Sequence, residues 1–413
     1  MAVHSTWLIY LSYLLCTVPT ESSRVRDSFY SSLKYLLGRG PDLPDTQESF
    51  GVSSITEVGN WPIRSIQHLG QISGISVNPA GQPVIFHRGP KIWDSGSFNE
   101  SNYFQEGTEE PIRVDTVITL DAETGNILSS WGGGIFFLPH GIHVDFEGNI
   151  WLTDVALHQV FKFSLGARRP LLTFGKRFKP GSDFGHLCKP TSVAVASDGH
   201  IFIADGYCNS RILKFNHFGD LERVFPQNEE FVSLKVPHSI TLLEKQNLLC
   251  IADRENMRIV CVNPEMDHSV VRTQHSIQQA DLGRVFAVAN SDDMIYAVNG
   301  PTSPNLPVQG FTIEPLSGRI IHRWEPTSDA FHQPHDAAVS PDGLYLYVCE
   351  LQPIRLWKFK LAQHAIAQPL AQLVVAATLN ILSRRPRTCH AVSIVISHNI
   401  ITNNIREFLR CVN

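Results

Sequence analysis

One pattern returns along the chain at a near-constant interval, and it limits the fold more than any bulk property does. Leu138-Pro139-His140-Gly141-Ile142-His143-Val144-Asp145-Phe146-Glu147-Gly148-Asn149-Ile150-Trp151-Leu152-Thr153-Asp154 reads as a strand, an acidic-glycine turn and a second strand ending in aspartate. A third strand, up to Phe163, follows a short polar loop. The same order recurs from Pro190-Thr191-Ser192, from Pro237-His238-Ser239 and from Pro334-His335-Asp336. These prolines, at 139, 190, 237 and 334, are separated by 51, 47 and 97 residues, so the last step spans two repeats. The copy lacking its proline is Arg284-Val285-Phe286-Ala287-Val288 with a second strand at 294–298, and a further copy upstream begins at Gly74-Ile75-Ser76-Val77. One sheet of short strands cannot bury both of its faces, so repeats of this length must cover one another radially. The expected fold is all-β, a six-bladed β-propeller with four antiparallel strands per blade.

A formal net charge of -5 with acidic and basic residues interspersed argues against a nucleic-acid groove and against a polybasic membrane surface. Residues 1–22 read as a signal peptide, built on the apolar run from Trp7 to Val18, with an uncleaved anchor as the alternative. The expected order is this signal, a polar leader at 23–51, the propeller at 52–361 and a C-terminal tail at 362–413 to which no role is assigned. Gln368, Pro369, Gln372 and Asn380 interrupt the one apolar stretch of the tail, which argues against a membrane span. A secreted monomer is expected.

Eight cysteines suit an oxidising compartment. Cys16 leaves with the signal, so an odd number remains and at least one is not paired within the chain. Cys250 and Cys261 flank a tight turn on neighbouring strands and are the first expected disulfide; Cys188 and Cys208 are the second. Asn99-Glu100-Ser101 is a glycosylation sequon in a polar loop between the first two blades.

Chemistry enters with the histidines. His140, His238 and His335 each follow a proline at the mouth of an innermost strand, and they fall on alternate blades. In a six-bladed ring this sets three imidazoles roughly 120° apart around the channel, a tripod that leaves a fourth zinc position open. The plainer alternative is a strand cap inherited by repetition, against which stands the absence of histidine from the other three blades. Asp336, next to the third histidine, offers a hard oxygen for calcium together with backbone carbonyls of inner strands; an aspartate at a strand start is otherwise a cap. Tyr207, in Asp205-Gly206-Tyr207-Cys208, Arg254, in the matching loop of the next blade, and Arg88 complete a candidate site. Arginine forks beside zinc suit a carboxylate-bearing substrate, and a tyrosine serves as a base where positive charge stabilises its phenolate. His143 and His158 read as surface or packing residues.

Several of these stretches, in this order, resemble the peptidyl-α-hydroxyglycine α-amidating lyases: Leu138-Pro139-His140-Gly141, the run from Trp151 to Lys162, Pro180-Gly181-Ser182-Asp183, Asp205-Gly206-Tyr207-Cys208-Asn209-Ser210-Arg211, Val236-Pro237-His238-Ser239, Ala252-Asp253-Arg254-Glu255-Asn256 and Val308-Gln309-Gly310-Phe311. The resemblance covers about residues 52 to 360. It implies NHL-type blades and a zinc-dependent lyase that splits a C-terminal α-hydroxyglycine into a peptide amide and glyoxylate, the second step of peptide-hormone and neuropeptide amidation. It also implies zinc on His140, His238 and His335, calcium on Asp336 and the carbonyls of Ile75 and Ile142, Tyr207 as the base, Arg88 and Arg254 on the substrate carboxylate, and the disulfides Cys188–Cys208 and Cys250–Cys261. The hydroxylating monooxygenase that makes the substrate is then expected to be a separate protein.

The chain departs from that pattern at Gln333, where the family has methionine, and at Cys349-Glu350-Leu351-Gln352-Pro353, which lacks the turn expected of a closing blade. Two other readings stay open on sequence: a secreted non-catalytic NHL propeller acting as a binding module, and a calcium-dependent lactonase or esterase on a six-bladed ring, whose site is rich in carboxylate and asparagine rather than histidine.

Overall fold

A computed structural model describes residues 55–362, apart from 65, 107–109, 227–232, 265–274 and 292. The signal and leader expected at 1–22 and 23–51, and the tail beyond 362, lie outside these residues.

The described residues form six four-stranded antiparallel sheets. Strand β1 (Ile55–Glu57) comes first in the chain but belongs to the last sheet. The first blade is β2 (Ile72–Val77), β3 (Pro83–His87), β4 (Val117–Leu120) and β5 (Ile127–Trp131). The second is β6 (Pro139–Val144), β7 (Ile150–Asp154), β8 (Gln159–Phe163) and β9 (Leu172–Phe174). The third is β10 (Ser192–Val195), β11 (Ile201–Asp205), β12 (Arg211–Phe215) and β13 (Leu221–Phe225). The fourth is β14 (Pro237–Leu243), β15 (Leu248–Asp253), β16 (Arg258–Val262) and β17 (His275–Ile277). The fifth is β18 (Val285–Ser291), β19 (Met294–Asn299), β20 (Gly310–Ile313) and β21 (Ile320–Trp324), and the sixth is β22 (Pro334–Val339), β23 (Tyr345–Glu350) and β24 (Arg355–Leu361), completed by β1. Each innermost strand packs against the next, and β22 packs back on β2, so the ring is closed.

Burial follows from this arrangement. The core divides into six clusters, and each joins two neighbouring blades: Phe86, Phe136, Leu152 and Phe163 fill the gap between the first and second, while Ile72, Ile75, Tyr347 and Leu356 fill that between the sixth and first. A buried side chain of this size contributes about 1.5–3 kcal/mol relative to exposure, which a lone blade would forgo.

The sixth blade is regular, and this corrects the expectation raised by Cys349-Glu350-Leu351-Gln352-Pro353. Its outer edge is supplied by β1, with Ile55 opposite Leu361. Its inner edge is held by Glu350, whose Oε1 accepts the backbone N–H groups of His332 at 2.6 Å and Gln333 at 2.9 Å. Other blades do the same with aspartate at the end of the second strand. Asp154 Oδ2 accepts from Phe137 and Leu138, Asp205 Oδ1 from Cys188 and Asp253 Oδ1 from Lys235. Glu350 is therefore a longer version of the same brace rather than a break in the pattern.

Both expected disulfides are present: Cys188–Cys208 across the mouth of the third blade and Cys250–Cys261 between β15 and β16. Cys349 is a free thiol buried in the core. Asn99 is exposed, but its loop joins β3 to β4 within the first blade rather than linking the first two blades as expected, because the second-to-third strand connection of that blade is the long one.

Candidate active site

The three proline-led histidines meet on the channel axis. Their ligand atoms all lie within 4.8 Å of one another, and their ring centroids form a near-equilateral triangle with sides of 4.8–4.9 Å. Each histidine sits where the inner strand slips by one residue against its neighbour: the ladder shifts between Pro139 and Ile142, between Pro237 and Ser239, and between Pro334 and Asp336. Such a bulge re-aims a side chain that regular pleating would send into the interface between blades.

The blades without histidine have their own part. Nδ1 of His140 donates to the carbonyl of Thr191 at 2.8 Å, Nδ1 of His238 to that of Phe286 at 2.6 Å, and Nδ1 of His335 to that of Ser73 at 2.7 Å. Thr191, Phe286 and Ser73 stand at the matching level of the third, fifth and first blades. A proton committed to the carbonyl at Nδ1 leaves Nε2 as the free lone pair facing the axis. Burial holds all three rings well below the ordinary histidine range, His335 at about 3; the arginines add to this at each ring, and the neighbouring imidazoles do so at His140 and His238. Three neutral, pre-oriented imidazoles with an open side are a donor set that suits zinc.

Tyr207 covers the open side. Its hydroxyl lies 3.0 Å from Nε2 of His140 and 3.2 Å from Nε2 of His238. The loop that carries it lies tight on the next blade: a Cβ at Gly206 would stand 2.2 Å from the carbonyl oxygen of Pro237, so glycine is required there. Cys208 anchors the same loop to Cys188.

Two guanidinium groups flank the tyrosine. Arg254 donates from Nη1 to the Tyr207 hydroxyl at 3.4 Å, lies over the rings of Tyr207 and Phe286, and is held at Nε by Glu255 at 2.9 Å. Arg88 is only 2% exposed; its Nε donates to the Pro139 carbonyl at 3.0 Å and its Nη1 to Gln71 Oε1 at 2.8 Å. No carboxylate forms an ion pair with Arg88 among the described residues, and burial pushes it down to about 10. A desolvated cation with no direct ion-pair partner among the described residues favours an anion at this place.

Beside the tripod, Asp336 turns its carboxyl inward: Oδ2 accepts from the Ile75 N–H and Oδ1 from that of Ala337, both at 3.0 Å. Burial pushes this carboxyl up to about 7, a cost that a bound cation would offset. Ile75 and Ile142 lie on the adjoining inner strands β2 and β6. Gln333 is exposed on the braced segment before β22, and His143 and His158 are packing residues, His158 accepting the Lys189 N–H at Nδ1.

Trp93, Phe286, Gln71 and Glu255 also line or support the site, and none was expected from sequence. They lie outside the repeat motif or at positions where its residue type varies, so spacing carried no signal for them.

An NHL-repeat family model matches residues 187–215 and 234–262, which run from before the inner strand to the third strand of the third and fourth blades. Peptidyl-alpha-hydroxyglycine alpha-amidating lyase 2 of Drosophila melanogaster is 54% identical over 312 residues, covering 74% of this chain and 75% of that protein. A probable peptidyl-alpha-hydroxyglycine alpha-amidating lyase of Caenorhabditis elegans is 36% identical over 71% of this chain and 84% of its own length. Peptidyl-glycine alpha-amidating monooxygenase A of Xenopus laevis is 40% identical over 74% of this chain but only 33% of its own length. At these identities and coverages, the chain belongs to the peptidyl-α-hydroxyglycine α-amidating lyase family.

Proposed function

We propose that this protein is a zinc-dependent lyase that cleaves peptidyl-α-hydroxyglycine to a C-terminal peptide amide and glyoxylate. The observation that carries the reading is the convergence of three neutral imidazoles, a tyrosine hydroxyl and two arginines on one end of the channel. Zinc, held by His140, His238 and His335, would supply Lewis acidity to the substrate's hydroxyl oxygen. Arg88 and Arg254 bind and orient the carboxylate, Arg88 with a guanidinium already stripped of water. Tyr207, set between them, takes the hydroxyl proton. The C–O bond then gains double-bond character, the C–N bond breaks, and the amide nitrogen leaves with the proton that Tyr207 took from the hydroxyl, which returns the tyrosine to its starting state. The disulfide and Gly206 fix the tyrosine, so little reorganisation accompanies the proton transfer.

Calcium is proposed on Asp336 with the carbonyls of Ile75 and Ile142, as a structural ion between inner strands. Two disulfides support a role in the secretory pathway, with substrate supplied by a separate enzyme that hydroxylates C-terminal glycine. A purified sample tests the whole: glyoxylate release from a peptidyl-α-hydroxyglycine, dependent on zinc, is expected, and a zinc-replete protein without turnover would contradict it.

A further inference from the structure

One blade carries a long excursion at the same end of the channel as the site. Between β3 and β4 the chain runs from residue 88 to 116, whereas the matching connections after Asp154, Asp205, Asp253 and Glu350 are short turns. The excursion starts at Arg88, and the part up to Glu106 is a built structure. Phe98 bridges to Phe104, Lys91 pairs with Glu106 at 3.5 Å, and Ser97 donates to Glu106 at 2.8 Å. What it brings to the site is Trp93. The indole lies 4.7 Å from the Tyr207 ring in an edge-on contact, 5.5 Å from the Arg88 guanidinium and 6.0 Å from the His140 ring. It is only half-buried, and behind it Phe98 follows at 5.5 Å.

We infer that Trp93 is a specificity-determining residue: its ring is the wall that receives the side chain of the residue preceding α-hydroxyglycine, and it favours apolar and aromatic side chains there. The inference rests on the lyase reading. With the carboxylate on the arginines and the hydroxyl-bearing carbon at the tripod, the acyl half of the substrate extends toward the mouth, where the excursion stands. The first side chain it carries meets this half-buried indole ring. Phe286, the other aromatic ring at the arginines, belongs to an inner strand and closes against Gly300, so it limits the channel rather than its mouth.

The test compares kcat/KM for glyoxylate release from N-acetyl-X-α-hydroxyglycine with X as phenylalanine, valine or glycine, in wild type, Trp93→Phe and Trp93→Ala. An aromatic contact is worth roughly fivefold. Wild type should prefer phenylalanine over glycine by at least about that factor. Trp93→Ala should bring the ratio close to one, and Trp93→Phe, which keeps an aromatic ring in the same space, should keep most of it. Dissociation constants for the product amides N-acetyl-phenylalaninamide and N-acetyl-glycinamide should follow the same order. A fall shared equally by all three substrates in Trp93→Ala would overturn the inference and leave Trp93 as a support for Tyr207, with the lyase reading intact. Absence of glyoxylate release from every substrate in wild type would overturn both.

Discussion

Nδ1 of His335 lies 2.7 Å from the carbonyl oxygen of Ser73, 262 residues away in sequence. Closing the ring and orienting the third imidazole are thus a single event. The same is true, over shorter spans, of His140 with Thr191 and His238 with Phe286. A prediction follows for the closing strand. Deleting the chain through Glu57 removes β1 from the edge of the sheet that holds His335, and the variant should lose zinc affinity as well as thermal stability. Metal content and a melting curve on the same preparation check this; unchanged zinc binding at lowered stability would show that the site does not depend on closure.

The carboxylate braces act one step further back. Asp253 holds the Lys235 N–H just before Pro237-His238 and is itself paired with Arg258 at 2.7 Å. Asp253→Asn places an amide N–H group against these donors. It should cost about 2–4 kcal/mol, as expected when one member of a buried charged network is lost, and should weaken zinc binding although no ligand is changed. Chemical denaturation and a zinc-chelator competition read the two effects separately.

Removal of Cys188–Cys208 and of Cys250–Cys261 should have different consequences. Both are expected to cost about 2–4 kcal/mol of stability. Only the first, however, anchors the Tyr207 loop, so the Cys188→Ser/Cys208→Ser pair should lower kcat at temperatures where the protein is still folded, while Cys250→Ala/Cys261→Ala should not. Activity measured well below each variant's melting temperature distinguishes them.

Arg88→Lys keeps the charge but not the geometry. Lysine cannot maintain both the Pro139 and Gln71 contacts and still present a fork to a carboxylate. KM should rise by about tenfold to a hundredfold, the worth of a charge-assisted bidentate contact. Steady-state kinetics provides the check, and an unaltered KM would remove Arg88 from the carboxylate site.

The repeat and the tripod were legible because both are set by spacing. Proline-histidine at one position of alternate copies can mean only one radial arrangement once the copies form a ring. The closing blade was misjudged because Glu350 replaces the aspartate of the other braces, and its equivalence rests on the hydrogen bonds it accepts, which a residue pattern does not display. Strand β1 was hidden for a different reason: its partner β24 lies at the other end of the chain. Trp93 reaches the site from an excursion outside the repeat, so periodicity could not indicate where its ring would come to rest.

The central claim is that three histidines hold a catalytic zinc. The most direct measurement is zinc per chain together with glyoxylate release, in wild type and in His238→Ala purified side by side. The account predicts one zinc and turnover in wild type and loss of both in the variant, with the far-ultraviolet spectrum of the fold retained. Equal turnover in a His238→Ala protein that no longer holds zinc would contradict it.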